Sequence, residues 1–206
     1  MFVALVGPDG AGKTTVASAL ERAAVASGRR FGYAHWLPSG RRPLSAVPRE
    51  TAAPPPKLPA PVRVDRLDRL VSVMRLARNL VRFWWGYLVG IRRHMPGLRH
   101  PDTLLVADRW IYNYTVQPRS VAYVGSHRLA EMAVRAAPRP DLTVLLHAPA
   151  EVMVARKAEL TVEETIDELA RWQAMRCPNP MITVDGTASP EEVARMILSV
   201  LAGGDR

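Results

Sequence analysis

The sequence predicts a three-layer α/β fold, in which a parallel sheet of about five strands carries helices on both faces, within a single domain of residues 1–206. Short apolar runs alternate along the chain with longer segments of helical periodicity, as expected of parallel strands joined by crossover helices. The first apolar run leads directly into a glycine-rich loop. With 206 residues, 48% of them hydrophobic, the chain is long enough to form one such domain.

The first unit of the predicted fold is a strand, a loop and a helix. Residues 2–6 are apolar without alternation, as in a strand buried on both faces. From Lys13 onward apolar residues recur at helical spacing, and Ser27-Gly28 marks the end of that helix. A weaker strand is predicted at residues 31–37.

Residues 38–63 are predicted to be a proline-rich loop, because the eight prolines between Pro38 and Pro61 exclude regular structure. Loops of this length are either functional lids or solvated insertions, and the sequence leaves both alternatives open. Two basic residues of this loop, Arg41 and Arg42, are candidates for contact with a phosphorylated substrate.

Residues 64–94 are predicted to form one long helix with an apolar stripe. The stripe consists of Leu67, Leu70, Val71, Met74, Ala77, Leu80, Val81, Trp84, Leu88 and Ile91. We expect Trp84, Trp85 and Tyr87 of this helix either to pack in the core or to form the contact face of a homodimer through the 65–94 helix.

Three further strands are predicted at residues 103–107, 142–146 and 181–184, with helices after them. In the last unit Ser189 is the predicted N-cap of a helix that begins at Pro190. Strands and helices therefore alternate to the end of the chain.

The charge balance of 28 basic and 19 acidic residues, a net +9, favours anionic partners such as nucleotides or phosphorylated metabolites. Nucleic acid is the least favoured partner, because the arginines are not interleaved with aromatic repeats. Cys177 is the single cysteine, so no internal disulfide can form and a cytoplasmic location is expected. The longest uncharged apolar run, residues 83–91, is too short to span a membrane, and no span is expected.

The glycine-rich loop matches the P-loop pattern Gly-x4-Gly-Lys-Thr and predicts a P-loop NTPase fold that binds ATP and Mg²⁺. Its glycines let backbone N–H groups turn towards phosphate oxygens, and the following helix adds positive potential. Lys13 is expected to reach the β- and γ-phosphates, and the Thr14 hydroxyl to ligate Mg²⁺. The predicted cofactor-binding residues are Gly7, Asp9, Gly10, Ala11, Gly12, Lys13, Thr14 and Thr15.

Two observations favour a kinase over other P-loop proteins. The chain contains no Asn-Lys-x-Asp element, which a GTPase uses to bind guanine. The strand at residues 103–107 is followed by Asp108-Arg109 rather than by the acidic pair of a motor ATPase.

Four segments resemble the thymidylate kinase family of nucleoside monophosphate kinases, and the chain looks closer to its divergent thymidylate kinase-like branch. They are the P-loop with Asp9 at its third position, Asp108-Arg109-Trp110, the strand and turn at residues 140–152, and the segment that begins Arg156-Lys157-x-Glu159. The last of these opens residues 156–176, where the family has its lid.

The resemblance implies a role for each of these residues. Asp108 would help Thr14 to hold hydrated Mg²⁺, Arg109 would contact the acceptor's phosphate, and Asp9 would face the acceptor's sugar. Arg156 would neutralise charge on the transferred phosphoryl group. An alternative for Arg156 is an exposed helix face paired with acidic neighbours. The implied catalytic residues are Lys13, Asp108, Arg109 and Arg156.

Two segments depart from the family pattern. Residues 35–43 lack the Arg-Glu-Pro-Gly element that binds the acceptor's phosphate, so Arg41 or Arg42 would take its place. Residues 111–119 also differ, and Tyr112 is the candidate substrate-binding residue there. The surface that would recognise a pyrimidine is therefore altered, and the acceptor's identity stays open.

The function predicted from the sequence is ATP-dependent phosphoryl transfer to a nucleoside monophosphate or a similar phosphorylated small-molecule acceptor. One alternative is a kinase acting on a hydroxyl of a nucleoside or biosynthetic metabolite, with Asp9 or His35 as the candidate base. Nucleoside kinases of related fold carry a glutamate after the second strand, and its absence here favours the phosphorylated acceptor. The other alternative is a P-loop protein that binds ATP without turnover.

Overall fold

A computed structural model of the chain describes residues 1–35, 47, 65–91, 102–157 and 160–203. It confirms the predicted α/β architecture, with a sheet of five parallel strands in the order β2-β3-β1-β4-β5. The strands are β1 (Phe2–Val6), β2 (Arg30–His35), β3 (Thr103–Asp108), β4 (Leu142–His147) and β5 (Met181–Asp185). Each lies within one or two residues of its predicted position.

Helices connect the strands. The α-helices of the described residues are α1 (Lys13–Ala26), α2 (Arg66–Trp85), α3 (Asn113–Val116), α4 (His127–Ala136), α5 (Ala150–Arg156), α6 (Val162–Gln173) and α7 (Pro190–Gly203). A π-helical segment, Gly86–Ile91, continues α2, and a 3₁₀ helix, Pro118–Val121, follows α3. Ser189 caps α7 as predicted, because its hydroxyl accepts a hydrogen bond from the Glu192 backbone N–H at 3.3 Å.

Helices cover both faces of the sheet, as the sequence predicts. Val3 and Leu5 of β1 lie in one core with residues of α1 and α7. Phe2 and Ala4 lie in a second core on the other face, with residues of α2, α4 and α6. Burial on both faces explains why the strands are apolar throughout rather than alternating.

Trp110 fixes the chain where it leaves the central strand β3. Its ring makes edge-to-face contacts with Phe2 and Phe83, with centroids 5.1 and 4.6 Å apart. Its indole N–H donates to the Pro138 carbonyl at 3.1 Å. These contacts hold the end of β3, and with it Asp108 and Arg109, in a defined position.

Core packing is wrong for Trp84 and Trp85, which are exposed, whereas Tyr87 is partly buried against the core. Most of the apolar stripe of α2 is exposed as well. The exposed residues of the stripe are Leu67, Leu70, Val71, Met74, Val81, Trp84 and Leu88. The opposite side is buried instead, through Ser72, Leu76, Asn79 and Phe83. Asn79 is accommodated there because its side-chain amide donates to the Tyr114 hydroxyl at 2.6 Å. The homodimer alternative for this helix stays a prediction, and residues 92–94 of the predicted helix lie outside the described residues.

The predicted proline-rich loop, with Arg41 and Arg42, lies outside the described residues apart from Val47, which is buried in the core of α1 and α7. In the described part of the chain, no helix combines the length and apolar character needed to cross a membrane.

Candidate active site

The glycine loop, residues 7–12, joins β1 to α1 and packs tightly against its neighbours. Gly7 has φ of +136°, and a Cβ on it would lie 2.2 Å from the Leu146 carbonyl oxygen of β4. Gly10 has φ of +83°, and its Cβ would lie 2.5 Å from the Met153 carbonyl oxygen of α5. Both positions therefore require glycine, for backbone conformation and for space.

The glycine loop ends at the N-terminus of α1, and this helix has no capping side chain at its N-cap position. Gly12 is the N-cap residue in a left-handed conformation, and it has no side chain that could cap the first turn. Uncapped N–H groups at a helix N-terminus form a site that favours an anion. The turn after β5 closes against this loop, since a Cβ on Gly186 would lie 2.3 Å from the Ala11 carbonyl oxygen.

Lys13 is buried beside the loop, with 7% of its surface exposed. Its ammonium group donates to the carbonyl oxygens of Gly7 and Pro8 at 3.0 and 2.8 Å, and lies 3.5 Å from a carboxylate oxygen of Asp9. Next to it, Thr14 is half-buried and Thr15 is exposed. The predicted lysine and its neighbours are thus placed where phosphates at the helix terminus would meet them.

Asp108 ends β3, beside β1, with only 4% of its surface exposed. The Tyr33 hydroxyl donates to its Oδ2 at 2.8 Å, and the His35 ring lies 3.6 Å from the same oxygen. Burial would raise the pKa of the Asp108 carboxyl, but His35, Lys13 and Tyr33 together lower it below its ordinary value. The group is therefore a carboxylate at neutral pH.

The other oxygen of Asp108, Oδ1, is buried and has no hydrogen-bond partner among the described residues. A buried polar atom without a partner costs about 1–3 kcal/mol, and such a cost calls for an explanation. A carboxylate oxygen at the carboxyl end of a central strand suits a cation or a water of its hydration shell.

Arg109 reaches from the end of β3 to the glycine loop. Its Nη2 donates to Asp9 Oδ1 at 2.5 Å. Its backbone is left-handed, with φ of +66°, a conformation that costs a non-glycine residue about 1 kcal/mol or more. Its backbone N–H donates to the Leu5 carbonyl at 3.0 Å, which ties the turn to β1.

Three basic side chains lie close to the Asp9 carboxylate. Lys13 and Arg109 contact its carboxylate, and the Lys157 ammonium lies 4.0 Å from its Oδ2. Burial alone would raise the pKa of Asp9, but these three positive charges hold it well below its usual range. Asp9 is therefore ionised and lies among three basic groups.

Arg156, at the end of α5, lies over the outer side of the loop. Its Nη1 donates to the Gly186 carbonyl at 3.1 Å and, at 3.4 Å, to the Gly10 carbonyl. The segment predicted as a lid, residues 156–176, consists mainly of helix α6, with residues 158–159 outside the described residues. Trp172 of α6 is only 1% exposed and lies in the core, so this end of the segment is anchored.

The hypothesis that Tyr112 binds substrate is not supported by its position. Its side chain lies in the core with 1% of its surface exposed. Its hydroxyl donates to the side-chain oxygen Oδ1 of Asn179 at 2.6 Å and lies 3.4 Å from the Thr143 hydroxyl. Burial raises the pKa of this phenol, so it stays a neutral hydrogen-bonding group within the core. The start of α3 turns the ring inward, which the sequence does not reveal.

Three polar residues that sequence reasoning missed form a chain beside the site. Asn113 donates through its side-chain amide to the side-chain oxygen Oε1 of Gln117 at 2.6 Å, and the Gln117 side-chain NH₂ donates in turn to Glu168 of α6. Burial, reinforced by the charge of Asp9, raises the pKa of the Glu168 carboxyl. The sequence carries one signal for Glu168, because this residue occupies an inward position of an amphipathic helix, where an apolar residue is expected.

The donor set at the site suits a magnesium ion that arrives with phosphates rather than a dedicated protein cage. In the part of the chain that is described, no group of three or more His, Cys, Asp or Glu side chains could hold a metal ion. Thr14 and Asp108 each offer an oxygen near the glycine loop. Magnesium typically binds through one or two such protein ligands together with waters and substrate phosphates.

The geometry thus brings together Asp9, Lys13, Asp108, Arg109 and Arg156 at the carboxyl ends of β1 and β3. Neither a scan against protein-family models nor a search of curated proteins finds a match for the chain.

Proposed function

We propose that the chain is a P-loop kinase of the thymidylate kinase-like branch, which transfers the γ-phosphoryl group of Mg²⁺-ATP to a phosphorylated small molecule. The acceptor class is a nucleoside monophosphate or a similar phosphorylated metabolite. The observation that carries the proposal is the Arg109–Asp9 contact, because it attaches the Asp108-Arg109 turn directly to the glycine loop. Asp9, Lys13, Asp108 and Arg109, all expected from the sequence, then lie together beside the loop that Arg156 also contacts.

The nucleotide's phosphates would occupy the uncapped N-terminus of α1 and the glycine loop. Lys13 would exchange its two carbonyl partners, Gly7 and Pro8, for the β- and γ-phosphates. Thr14, through its hydroxyl, and Asp108, through its unpartnered oxygen, would hold Mg²⁺, which would supply positive charge to the phosphates. Arg156, already above the loop, would approach the transferred group from the outer side.

The surplus of cations supports an acceptor that is itself anionic. Phosphoryl transfer depends mainly on positioning and on neutralising charge, which basic side chains supply. Arg109, Lys13 and Lys157 surround Asp9. Together with Arg156 they outnumber the two carboxylates at the glycine loop, Asp9 and Asp108. A phosphate-bearing acceptor would use Arg109 directly and would leave Asp9 to the sugar or its equivalent.

The proposal is tested by measuring ATP consumption with a panel of nucleoside monophosphates, nucleosides and phosphorylated sugars, with Lys13→Ala as the inactive control. Turnover with one or more phosphorylated acceptors, absent in Lys13→Ala, is the expected result. Turnover with unphosphorylated nucleosides alone would favour a hydroxyl kinase instead. Tight ATP binding with no turnover across the panel would favour an ATP-binding protein and would overturn the proposal.

A further inference from the structure

Glu168 is a buried acid that the site described so far does not use. It lies on the inward face of α6 with Thr165 and Trp172, and 5% of its surface is exposed. No basic side chain among the described residues forms an ion pair with it. A buried carboxyl group without a countercharge is costly, and such groups are concentrated at functional sites.

One oxygen of Glu168 is held from two directions. Oε1 accepts hydrogen bonds from the side-chain amide of Gln117 and, at 3.4 Å, from the indole N–H of Trp172. Because Oε1 accepts from the Gln117 NH₂ group, the side-chain carbonyl oxygen of Gln117 faces Asn113. This orientation leaves Asn113 Oδ1 buried without a partner among the described residues. Holding Glu168 in position therefore leaves one buried oxygen without a hydrogen bond to a described residue.

The second oxygen of Glu168 is free for a ligand. Oε2 makes no hydrogen bond to a described residue, and it is not one of the fully enclosed unpartnered atoms. Glu168 lies close enough to Asp9 and Lys13 for both charges to act on its titration. Hydrogen bonds also join Glu168, through Gln117 and Asn113, to the segment that follows Arg109. Its free oxygen therefore lies beside the charged site, on the side that α6 covers.

The chemistry of this oxygen limits what it can bind. A carboxylate repels a phosphate, and it accepts a hydrogen bond from a hydroxyl group. We propose that Glu168 is a specificity-determining residue, which accepts a hydrogen bond from a hydroxyl group of the phosphorylated acceptor. The proposal rests on the proposed function and narrows it to hydroxyl-bearing acceptors such as nucleoside monophosphates and sugar phosphates. Gln117 is a positioning residue that acts through Glu168.

The variant Glu168→Gln tests this role with the smallest change in shape. Its carbonyl oxygen can still accept from Gln117 and Trp172, while the free oxygen becomes an NH₂ donor. We measure kcat/KM for nucleoside monophosphates and for their 2′,3′-dideoxy counterparts. The wild type is expected to prefer the hydroxylated acceptor by about tenfold or more, and the variant to lose that preference while handling the dideoxy compound as before. Asp167→Asn, an exposed change on the same helix, is the matched control.

Two further measurements keep a structural role apart from a binding role. Because burial raises the pKa of Glu168, the folded state loses stability as pH rises from the ordinary value of this carboxyl through the raised one. Glu168→Gln should therefore be at least as stable as the wild type at pH 8, even though its preference is lost. Gln117→Leu, which removes the donor to Oε1, should weaken the same preference to a smaller extent.

The possible failures are distinguishable. A wild type that turns over no member of the panel overturns the proposed function and this inference with it. A wild type that is active, with a hydroxyl preference that Glu168→Gln retains, overturns the inference alone. A loss of preference that is matched by Asp167→Asn, or that follows unfolding of both the Glu168 and Gln117 variants, also overturns it.

Discussion

The Arg109 guanidinium donates to the Asp9 carboxylate at 2.5 Å, although the two residues are 100 positions apart in the chain. They meet because β1 and β3 are neighbours in the sheet, so the turns that follow them lie at the same edge. The left-handed backbone of Arg109 directs its side chain across that edge. The contact therefore depends both on the sheet order and on one strained residue.

Replacing Arg109 with alanine and with glycine should separate its side chain from its backbone. Both variants lose the contact with Asp9, so both should show a KM for the acceptor raised about tenfold or more, with little change in ATP affinity. Arg109→Gly should unfold with a free energy about 1 kcal/mol higher than Arg109→Ala, because glycine adopts φ of +66° without strain. Steady-state kinetics and urea denaturation measure the two effects. An effect confined to ATP affinity would show that the role of Arg109 is misassigned.

Lys13→Ala should abolish turnover and leave the fold intact. The ammonium group is the cation nearest the loop's carbonyl oxygens, and its removal takes away charge that the transferred phosphoryl group needs. We expect kcat to fall by about 100-fold or more, with an unchanged circular dichroism spectrum. Turnover near the wild-type level would contradict the assignment of the loop as the phosphate site.

Gly10→Ala should destabilise the protein more than Gly28→Ala does. Both glycines have positive φ, +83° and +69°, so each substitution carries the strain of a left-handed alanine, about 1 kcal/mol. Only at Gly10 would the added Cβ meet backbone, 2.5 Å from the Met153 carbonyl oxygen, whereas nothing lies within 4 Å of it at Gly28. The clash should add about 1–3 kcal/mol to the loss in unfolding free energy. Equal losses in urea denaturation would show that the loop can move away from α5.

Asp9 should contribute to stability at neutral pH and lose that contribution in acid. Its pKa is lowered in the folded state relative to its ordinary value of 3.8, so its stabilisation is present above that value and disappears as pH falls below it. Asp9→Asn should therefore be less stable than the wild type at pH 7, with a difference that shrinks below about pH 4. Urea denaturation from pH 7 to pH 3 measures this difference. A constant difference in unfolding free energy over that range would mean that the nearby cations do not stabilise the charged form of Asp9.

The fold and the loop residues could be predicted because their signals are local. A strand buried on both faces is apolar throughout, and the P-loop pattern is fixed by backbone geometry that only glycine at Gly7 and Gly10 allows. Asp108 and Arg109 follow a buried strand directly, which places them at the carboxyl edge of the sheet. These assignments needed no knowledge of tertiary contacts.

The buried side of α2, the burial of Tyr112 and the role of Glu168 could not be predicted, because they depend on contacts between distant segments. Helix α2 has apolar residues on more than one side, and the choice of the buried side is made by partners such as Tyr114 and Trp110. Tyr112 could not be told from a binding residue, because its partner Asn179 lies 67 positions away. Glu168 was missed for the same reason, since Gln117 is 51 positions from it.

The burial of Trp172 limits how an acceptor can enter the site. Swinging α6 outward as a rigid body would pull this indole from the core, and truncating a buried aromatic residue typically costs about 3–5 kcal/mol. A state of that free energy is populated at roughly one part in a hundred to one in several thousand. We therefore expect helix α6 to stay in place beside the site and a substrate to enter on the side away from it.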